Sequence, residues 1–372
     1  SMTASLLFAA SVSLSNAFTI FQPLPWEQSW KELIIEEFDA VDHKQAFEGW
    51  KRTFNKAYDI EQEADRFLVW LDNWYSINKH NQDEAAPFKL RMNEFSDLSR
   101  DEFRRYIHGS TDSCFHSMAR SGNTAVSANK VSNSTTPKAW DWTDVDGVSW
   151  VAPVKNQGNC GGCWAFSAVG AIESAAVIAN YYNDGKPPPV PIPTLSEQQL
   201  IDCSKAEGNM GCSGGLMDDA FTYVVKTGGL CSEAEYAYTA QDGSCKASSC
   251  GTYYDPITSY TDVDTNDEAA LMSAVAQHPV SIAIEADQYA FQFYHSGVLS
   301  GRCGDKIDHG VLLVGYGHDD DAKLDYWKIK NSWGESWGQS GYIKICRNCD
   351  KNKDNGECGI LMAPSFPVAK KQ

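Results

Sequence analysis

One stretch of the sequence, CWAFSAVGAIESAAVIANYY from Cys163 to Tyr182, is apolar on nearly every side. A helix with this pattern does not suit a protein surface, because a surface helix keeps one polar face. The stretch therefore predicts a central helix that is buried on most sides, with the remaining chain packed around it. Its first residue is a cysteine, and a second cysteine, Cys160, lies three positions earlier.

The composition limits the classes of protein to consider. With 372 residues, of which 42% are hydrophobic, the chain is long enough for two globular domains. Its net charge of -18 argues against nucleic acid or an anionic membrane as a partner. Eleven of the 12 cysteines lie between Cys160 and Cys358, which suggests disulfides and an oxidising compartment.

The first residues have the pattern of a targeting segment. Residues 1–17 hold a short apolar run followed by small residues, with Ser15 and Ala17 at the positions that a signal peptidase prefers. We expect a signal peptide there, and an apolar terminus without regular structure is the alternative. No later run reaches the roughly 18 to 20 apolar residues of a membrane span, so a soluble mature protein without a membrane span is expected.

The region before the long apolar stretch divides into two parts. Aromatic and aliphatic residues recur at three- and four-residue intervals from Trp50 to Ile77, which predicts a helical core over about 43–108. Residues 109–136 are rich in Ser, Thr, Asn and Gly and indicate an exposed linker that a protease could cut. This linker contains a glycosylation sequon at Asn133.

The second half begins with helices and ends with strands. Ser196 and Gln199 fit a capping box that starts a helix at TLSEQQLIDC. Beyond residue 250, the runs PVSIAIEA, GVLLVGYG, DYWKIKNSWG and GYIKIC alternate as antiparallel strands do. The chain thus predicts an α+β fold with a helical lobe, a β lobe and a site where they meet.

Cys160 and Cys163 allow three interpretations. With Cys346 and Cys349 they could form a tetrahedral zinc site, but a secretory context favours disulfides. A redox pair would require a surrounding parallel sheet, and the sequence has no such pattern. In the third interpretation only Cys163 reacts, because a helix N-terminus and a nearby imidazolium stabilise its thiolate.

A nucleophilic cysteine requires a histidine, an orienting amide and an oxyanion donor. His295 and His309 are both far enough along the chain, and His309 is preferred because it starts an alternating strand. Asn331 ends a later strand, and Trp333 could shield a histidine–amide hydrogen bond from water. Gln157, six residues before Cys163, could supply an oxyanion donor beside the Cys163 backbone amide.

Together these residues resemble the papain-like cysteine proteases, and within them the cathepsin L-like branch. The segments QGNCGGCWAF, DHGVLLVGYG and NSWGESWGQSGY match those that carry the catalytic Cys, His and Asn of the family, in the same order. The resemblance implies a papain-like two-lobe fold, with a helical left lobe and an antiparallel, β-barrel-like right lobe. It places the active site in the cleft between the lobes and the peptidase domain at 137–372.

The resemblance also covers the region before the linker, which looks like the inhibitory propeptide of the family at 18–136. Its helix signature is matched at Arg66, Asn73, Ile77 and Asn81, with Gln62 in place of the usual Glu and Trp70 in place of the usual Phe. The segment RMNEFSD keeps Asn93, Phe95 and Asp97, with Arg91 in place of the usual Gly. A zymogen is implied, inhibited by its own propeptide and activated by cleavage, plausibly at acid pH.

The family further implies disulfides, and we expect Cys163 itself to remain free. The implied pairs are Cys160 with Cys212, Cys203 with Cys245, and Cys303 with Cys358. The remaining Cys231, Cys250, Cys346 and Cys349 allow two more bridges, for example Cys231 with Cys250 and Cys346 with Cys349. The sequence does not fix this last pairing.

Matching to the family also gives the substrate cleft. The pocket for the second residue before the cut (P2) would be lined by apolar or small residues, namely Leu216, Met217, Ala283, Gly310 and Ala363. With no acid at its base, it should prefer a bulky hydrophobic side chain. Gly214 and Gly215 should hydrogen bond an extended substrate, and Trp333 should border the cleft.

The resulting expectation is a cysteine endopeptidase of polypeptides, because no His-bearing insertion blocks one end of the cleft. We expect a monomer without metal or other cofactor, in a lysosome- or vacuole-like compartment or secreted. A calcium loop at 350–361 is disfavoured, since Asn355 and Leu361 replace the required Gly and Glu. A catalytically dead binding protein and a thiol–disulfide oxidoreductase are the rival functions.

Overall fold

The computed structural model describes residues 40–109, 136–251, 253–254, 256–349 and 354–371. The expected signal peptide and nearly all of the expected linker, including Asn133, lie outside these residues. The described helices are α1 Ala40–Thr53, α2 Ile60–Asn81, α3 Arg100–His108, α4 Cys163–Asn180, α5 Glu197–Cys203, α6 Met217–Thr227, α7 Glu268–Val275 and α8 Tyr289–Gln292. The described strands are β1 Phe88–Leu90, β2 Trp140–Asp141, β3 Leu230–Cys231, β4 Tyr253–Tyr254, β5 Ile257–Asp262, β6 Val280–Ile284, β7 Tyr294–Leu299, β8 His309–Asp319, β9 Leu324–Lys330, β10 Tyr342–Arg347 and β11 Ser365–Ala369.

The contacts divide the chain into a unit that ends at Glu63 and a unit that begins at Ala64. The described part of the first unit contains α1 and the turn that follows it. Phe47 stacks on Trp50 at 5.7 Å and on Tyr58 at 6.3 Å between ring centroids. Lys51 pairs with Glu48 at 2.8 Å on the same helix. These contacts give the first unit a small aromatic cluster of its own.

The second unit opens with the rest of the propeptide-like region, where the all-helical prediction is wrong in one place. Between α2 and α3, strand β1 pairs antiparallel with β7, with Phe88 opposite Gly297. A three-residue strand is too short to show an alternating pattern, so the sequence analysis did not predict it. Helix α3 is fixed by a capping box, in which Ser99 accepts from the amide of Glu102 and the Glu102 side chain bonds back to Ser99.

The asparagines of the propeptide signature tie α2 to the loop that follows it. Asn73 donates to the carbonyl oxygens of Ser96 and Leu98 at 3.0 and 3.1 Å. Asn81 donates to the carbonyl oxygen of Leu90 at 2.8 Å. Asn93 reaches across the chain to the carbonyl oxygen of Gln292 at 2.7 Å. The signature amides therefore satisfy buried backbone groups, which is why amide side chains are needed there.

Helix α4 is the central helix that the apolar stretch predicted. Fifteen of its 18 residues are buried. The stretch Cys163–Asp184 has the length and hydropathy of a membrane span, yet 83% of its apolar 18-residue segment is buried inside the protein. The α4 apolar surface thus belongs to a protein core, where it packs against α5, α6 and β8.

The four predicted strands, β6, β8, β9 and β10, belong to a nine-stranded sheet in the order β1-β7-β10-β9-β8-β6-β11-β5, with β2 paired to β8. Its described pairings are antiparallel except one. Strands β7 and β10 run parallel, with Lys344 opposite Val298, which departs from the purely antiparallel expectation. Strands β8 and β9 are joined by a turn at the acidic run HDDDAKLD.

Two hydrophobic clusters mark the two lobes. One surrounds α4 and includes Trp164, Ile201 and Phe221. The other lies on the strands around Ile282 and Trp327 and also takes in residues of β1 and α3. The papain-like α+β arrangement is therefore present, and the propeptide-like region shares a core with the β lobe.

Disulfides brace both lobes. The pairs are Cys160–Cys212, Cys203–Cys245, Cys231–Cys250, Cys303–Cys358 and Cys346–Cys349. The first, second and fourth are the pairs that the resemblance implied. The other two join the four cysteines whose pairing the sequence left open.

Candidate active site

Cys163 is the first residue of α4, with Gly162 as the N-cap residue. It is fully buried, and its Sγ accepts a hydrogen bond from the backbone amide of Gly310 at 3.2 Å. Gly310 follows His309 at the start of β8. The fold thereby brings the N-terminus of the central helix, where negative charge is favoured, against the strand that carries the histidine.

The expectation that Cys163 is a free thiol is wrong for this form of the chain, because Cys163 is disulfide-bonded. The other ten cysteines of the described residues pair among themselves, so the partner of Cys163 is not one of them. Any chemistry by a Cys163 thiolate therefore requires prior reduction.

His309 and Asn331 are brought together by neighbouring strands. His309 begins β8 and Asn331 directly follows β9, and His309 Nε2 lies 2.8 Å from Asn331 Oδ1. The backbone amide of Ser332 donates to the same oxygen at 2.8 Å, which fixes the orientation of the amide. Nε2 must therefore carry the hydrogen, and Nδ1 is left as the ring nitrogen that can exchange a proton.

Burial controls the charge of this histidine. His309 is fully buried, and burial lowers its pKa to about 4, although the hydrogen bond to Asn331 acts in the opposite direction. The indole of Trp333 lies 4.8 Å from the imidazole between ring centroids. Trp333 is itself fully buried, so the histidine–amide hydrogen bond is shielded from water.

The Gln157 side chain is hydrogen bonded through both its amide nitrogen and its amide oxygen. Its Nε2 donates to the carbonyl oxygens of Cys160 and Ile107, both at 3.0 Å, and its Oε1 accepts from Ser332 Oγ at 2.7 Å. Ile107 belongs to α3, in the propeptide-like region. The amide proposed as an oxyanion donor thus already binds a main-chain carbonyl of the segment that lies in the cleft.

The same segment passes close to the start of α4. A Cβ atom on Gly161 would lie 2.5 Å from the carbonyl oxygens of both His108 and Cys212, so the approach requires glycine. The His108 side chain is fully buried, with Nε2 3.7 Å from Asp308 Oδ2. Residues 107–108 therefore occupy the surface beside Cys163 and His309.

The residues expected in the P2 pocket are partly assembled. Ala283 faces Gly310 across β6 and β8, and a Cβ atom on Gly310 would lie 3.2 Å from Met217 Sδ. Leu216 and Ala363 are half-buried and pack against the same cluster. Gly215 has a reason of its own to be glycine, since a Cβ atom there would lie 2.7 Å from the Trp164 ring.

Two supporting side chains at this site were not predicted. Ser332 anchors Gln157 Oε1, and its place directly after Asn331 was the available signal. Tyr238 donates from Oη to the Gln157 carbonyl oxygen at 2.6 Å. No local pattern pointed to Tyr238, because it lies 81 residues from Gln157 in sequence.

Two regions of the chain match known protein families. Residues 136–368 match the papain family cysteine protease domain, and residues 47–103 match the cathepsin propeptide inhibitor domain. The chain is 45% identical to oryzain beta chain of Oryza sativa subsp. japonica over 82% of its own length and 61% of that relative. It is 40% identical to cysteine protease XCP2 of Arabidopsis thaliana over 98% of its length and 96% of that relative. The chain spans about three-fifths of oryzain beta chain and of rice cysteine protease 1.

Solved precursor structures are similar as well. The proform of the ragweed pollen allergen Amb a 11, a cysteine protease, aligns with a TM-score of 0.77 at 34% identity, covering 90% of this chain and 97% of that one. A recombinant stem bromelain precursor aligns with a TM-score of 0.74 at 33% identity, covering 89% and 100%. The chain belongs to the papain family of cysteine proteases and carries a cathepsin propeptide inhibitor domain ahead of its peptidase domain.

Proposed function

We propose that this chain is the precursor of a cysteine endopeptidase, with Cys163 as nucleophile and His309 as general acid and base. The observation that carries the proposal is the hydrogen bond from Gln157 Nε2 to the Ile107 carbonyl oxygen, next to a cysteine at a helix start. A site that already binds a main-chain carbonyl beside a potential thiolate suits attack on a peptide bond.

Each step of the reaction has a residue to perform it. Once Cys163 is reduced, His309 Nδ1 takes its proton, and the thiolate attacks the scissile carbonyl carbon. The oxyanion is held by Gln157 Nε2 and the Cys163 backbone amide. The carbon–nitrogen bond breaks as His309 protonates the leaving amine, and water deprotonated by His309 then hydrolyses the thioester. Asn331 keeps the imidazole in the tautomer that both steps need.

A covalent probe tests this assignment against the rival functions. An irreversible thiol-protease inhibitor should label Cys163 alone in the reduced, processed protein, and peptide hydrolysis should stop in proportion. A catalytically inactive relative would either be labelled without hydrolysing peptides, or show neither labelling nor hydrolysis. A thiol–disulfide oxidoreductase would reduce disulfide substrates and leave peptides intact.

The propeptide is proposed to keep the precursor inactive until cleavage near residue 136. The hydrogen bond from Gln157 to Ile107 and the burial of His108 support this, since a substrate would need the same surface. The cysteine-rich composition and the apolar N-terminal run support a place in the secretory pathway. An acidic, vacuole-like compartment or secretion is the proposed destination.

Protonation of His309 at acid pH favours opening of the cleft. Its pKa is lowered to about 4 in the closed precursor, mainly by burial, whereas an exposed histidine has a pKa of about 6.5. The closed form therefore binds fewer protons than the open form between about pH 4 and pH 6.5. In that range each unit of falling pH favours opening by up to about 1.4 kcal/mol, or tenfold.

Asp308 acts in the opposite direction when it is considered alone. Burial raises its pKa to about 8, so the closed form holds a proton that an exposed carboxyl would lose. His108 Nε2 lies 3.7 Å from Asp308 Oδ2 in the closed precursor. Below about pH 8, falling pH therefore favours the closed form at Asp308, whereas at His309 it favours the open form.

Glu102 adds acid sensitivity at lower pH. Burial alone would raise its pKa, but hydrogen bonds from Arg66 and Ser99 keep the pKa below the ordinary value. The stability that its 2.9 Å ion pair with Arg66 provides is present above the ordinary pKa of Glu. That stability is lost as the pH falls through the lowered pKa, which loosens α3 from α2.

We expect His309 and Glu102 to outweigh Asp308, so that acid triggers processing. A reduced precursor should convert to the mature form at least about tenfold faster at about pH 4.5 than at about pH 7.5. The rate is measured from the appearance of the new N-terminus by sequencing. Equal rates at the two pH values would contradict the proposed role of His309.

The P2 pocket gives a prediction about specificity. Leu216, Met217, Ala283, Gly310 and Ala363 offer no carboxylate, so an arginine would be desolvated without a partner. A peptide library should therefore show Leu, Phe or Val at P2 over Arg by about tenfold or more.

A single substitution tests the pocket directly. Ala363→Glu should raise kcat/KM for Arg at P2 by roughly tenfold, because it supplies the missing partner. Val368→Glu, at an exposed position of β11, is the matched control for added charge. A parent enzyme that already prefers Arg would show that these residues do not line the pocket.

A further inference from the structure

Tyr238 connects the two elements that carry the oxyanion donors. Its Oη donates to the Gln157 carbonyl oxygen at 2.6 Å. Its ring packs edge-on against Phe166 of α4 at 4.9 Å between centroids. A Cβ atom on Gly162, the N-cap residue of α4, would lie 3.5 Å from Oη. One side chain therefore contacts both the Gln157 segment and the first turn of α4.

The segment between the two donors needs such an external contact. Residues 158–162, which join Gln157 to Cys163, include three glycines, and Gly158 has a φ of 57°. Glycine leaves the backbone many conformations, so these residues cannot by themselves fix the distance between the Gln157 side chain and the Cys163 amide. The Cys160–Cys212 disulfide fixes the middle of the segment but not its first residue.

Apart from the hydrogen bond to the propeptide residue Ile107, which processing removes, the remaining contacts of Gln157 come from the β-lobe side of the cleft or from its own loop. Its backbone amide donates to the Ser332 carbonyl oxygen at 2.8 Å, and its side chain contacts Ser332 Oγ and the Cys160 carbonyl oxygen. Tyr238 is the contact that relates the Gln157 backbone to α4, where Cys163 lies. Loss of this contact would let the Gln157 amide shift relative to the Cys163 amide.

We propose that Tyr238 is a positioning residue that fixes the Gln157 side-chain amide at the distance from the Cys163 backbone amide that the oxyanion requires. The inference rests on the proposed peptidase function. Burial, together with the charges of Glu197 and Glu233, raises the pKa of the Tyr238 phenol, so the hydroxyl remains a donor at every pH of interest.

The test compares two tyrosines of the same loop in the reduced, processed enzyme. Tyr238→Phe keeps the ring against Phe166 and removes only the hydroxyl. It should lower kcat by about tenfold and change KM by less than about twofold, since an imperfectly placed oxyanion donor affects the transition state alone. Tyr236→Phe also removes a hydrogen-bonded hydroxyl, which donates to Asp202 Oδ2 at 2.7 Å and accepts from the backbone amide of Lys246 at 3.1 Å. It should leave kcat unchanged.

A double-mutant cycle identifies the path of the effect. In a Gln157→Ala background, Tyr238→Phe should change kcat by less than about twofold, because the donor it positions is already gone. An undiminished tenfold loss in that background, a change confined to KM, or an equal loss of kcat in Tyr236→Phe would each overturn the proposal. Failure of the underlying function would be distinct, since the parent enzyme would then hydrolyse no peptide.

Discussion

Replacing Cys163 with alanine should abolish peptidase activity and leave the fold intact. Relative to the reduced parent protein, the change removes one buried sulfur at the start of α4 and breaks no disulfide. Loss of a covalent nucleophile in a catalytic unit of this kind costs up to about 10⁶ in kcat. The variant precursor is processed by a trace of parent enzyme, separated from it, and assayed on peptides that carry a hydrophobic residue before Arg.

His295→Ala is the matched control for this prediction. His295 was the rival histidine in the sequence, and the structure places it in β7, next to the propeptide strand β1. The processed His295→Ala enzyme should retain its activity, whereas His309→Ala should lose it. Substantial turnover by the Cys163→Ala protein would rule out Cys163 as the nucleophile.

Replacing Phe103 with alanine should raise the population of open precursor about 100-fold at neutral pH. The reason is that truncating a buried phenylalanine removes packing free energy of that order from the closed form. Phe103 is fully buried and lies edge-on to Trp333 at 5.2 Å and to Phe95 at 5.3 Å between centroids. It thus joins α3 to the indole that covers His309. The measured quantity is the rate at which an irreversible thiol-protease inhibitor labels Cys163 in the reduced precursor.

Leu68→Ala provides the control for Phe103→Ala. Leu68 is 53% exposed on α2, so its removal creates no cavity and should leave the labelling rate within about twofold of the parent. Parent precursor that has not been reduced should not be labelled, since Cys163 is then disulfide-bonded. Equal labelling rates for Phe103→Ala and parent would show that α3 does not control access to the site.

Features with a strong local pattern were predictable. Helix α4 followed from an apolar stretch without a polar face, and the short strands followed from their alternation. The sequence also singled out Cys163, His309 and Asn331, because the chemistry of a thiolate nucleophile restricts its partners to a few residue types in recognisable contexts. The site residues could therefore be named before their distances were known.

Features that depend on partners distant in sequence were not predictable. Strand β1 exists because β7 offers it an edge, and three residues contain too little pattern to show this. The pairing of Cys231 with Cys250 and of Cys346 with Cys349 depended on which cysteines the fold brings together. The disulfide at Cys163 contradicted an expectation that rested on family resemblance and not on geometry.

The sequence by itself predicted the central helix, the division into propeptide-like and peptidase regions, and a candidate nucleophile with a candidate histidine. Local periodicity and residue chemistry carry that information. Only the tertiary structure decided that the Ile107 carbonyl accepts a hydrogen bond from Gln157, that Phe103 packs against Trp333 and that Tyr238 contacts both the oxyanion segment and α4. Those contacts join residues far apart in the chain. The local sequence pattern does not specify which distant surfaces pack together when the two lobes fold around a shared core.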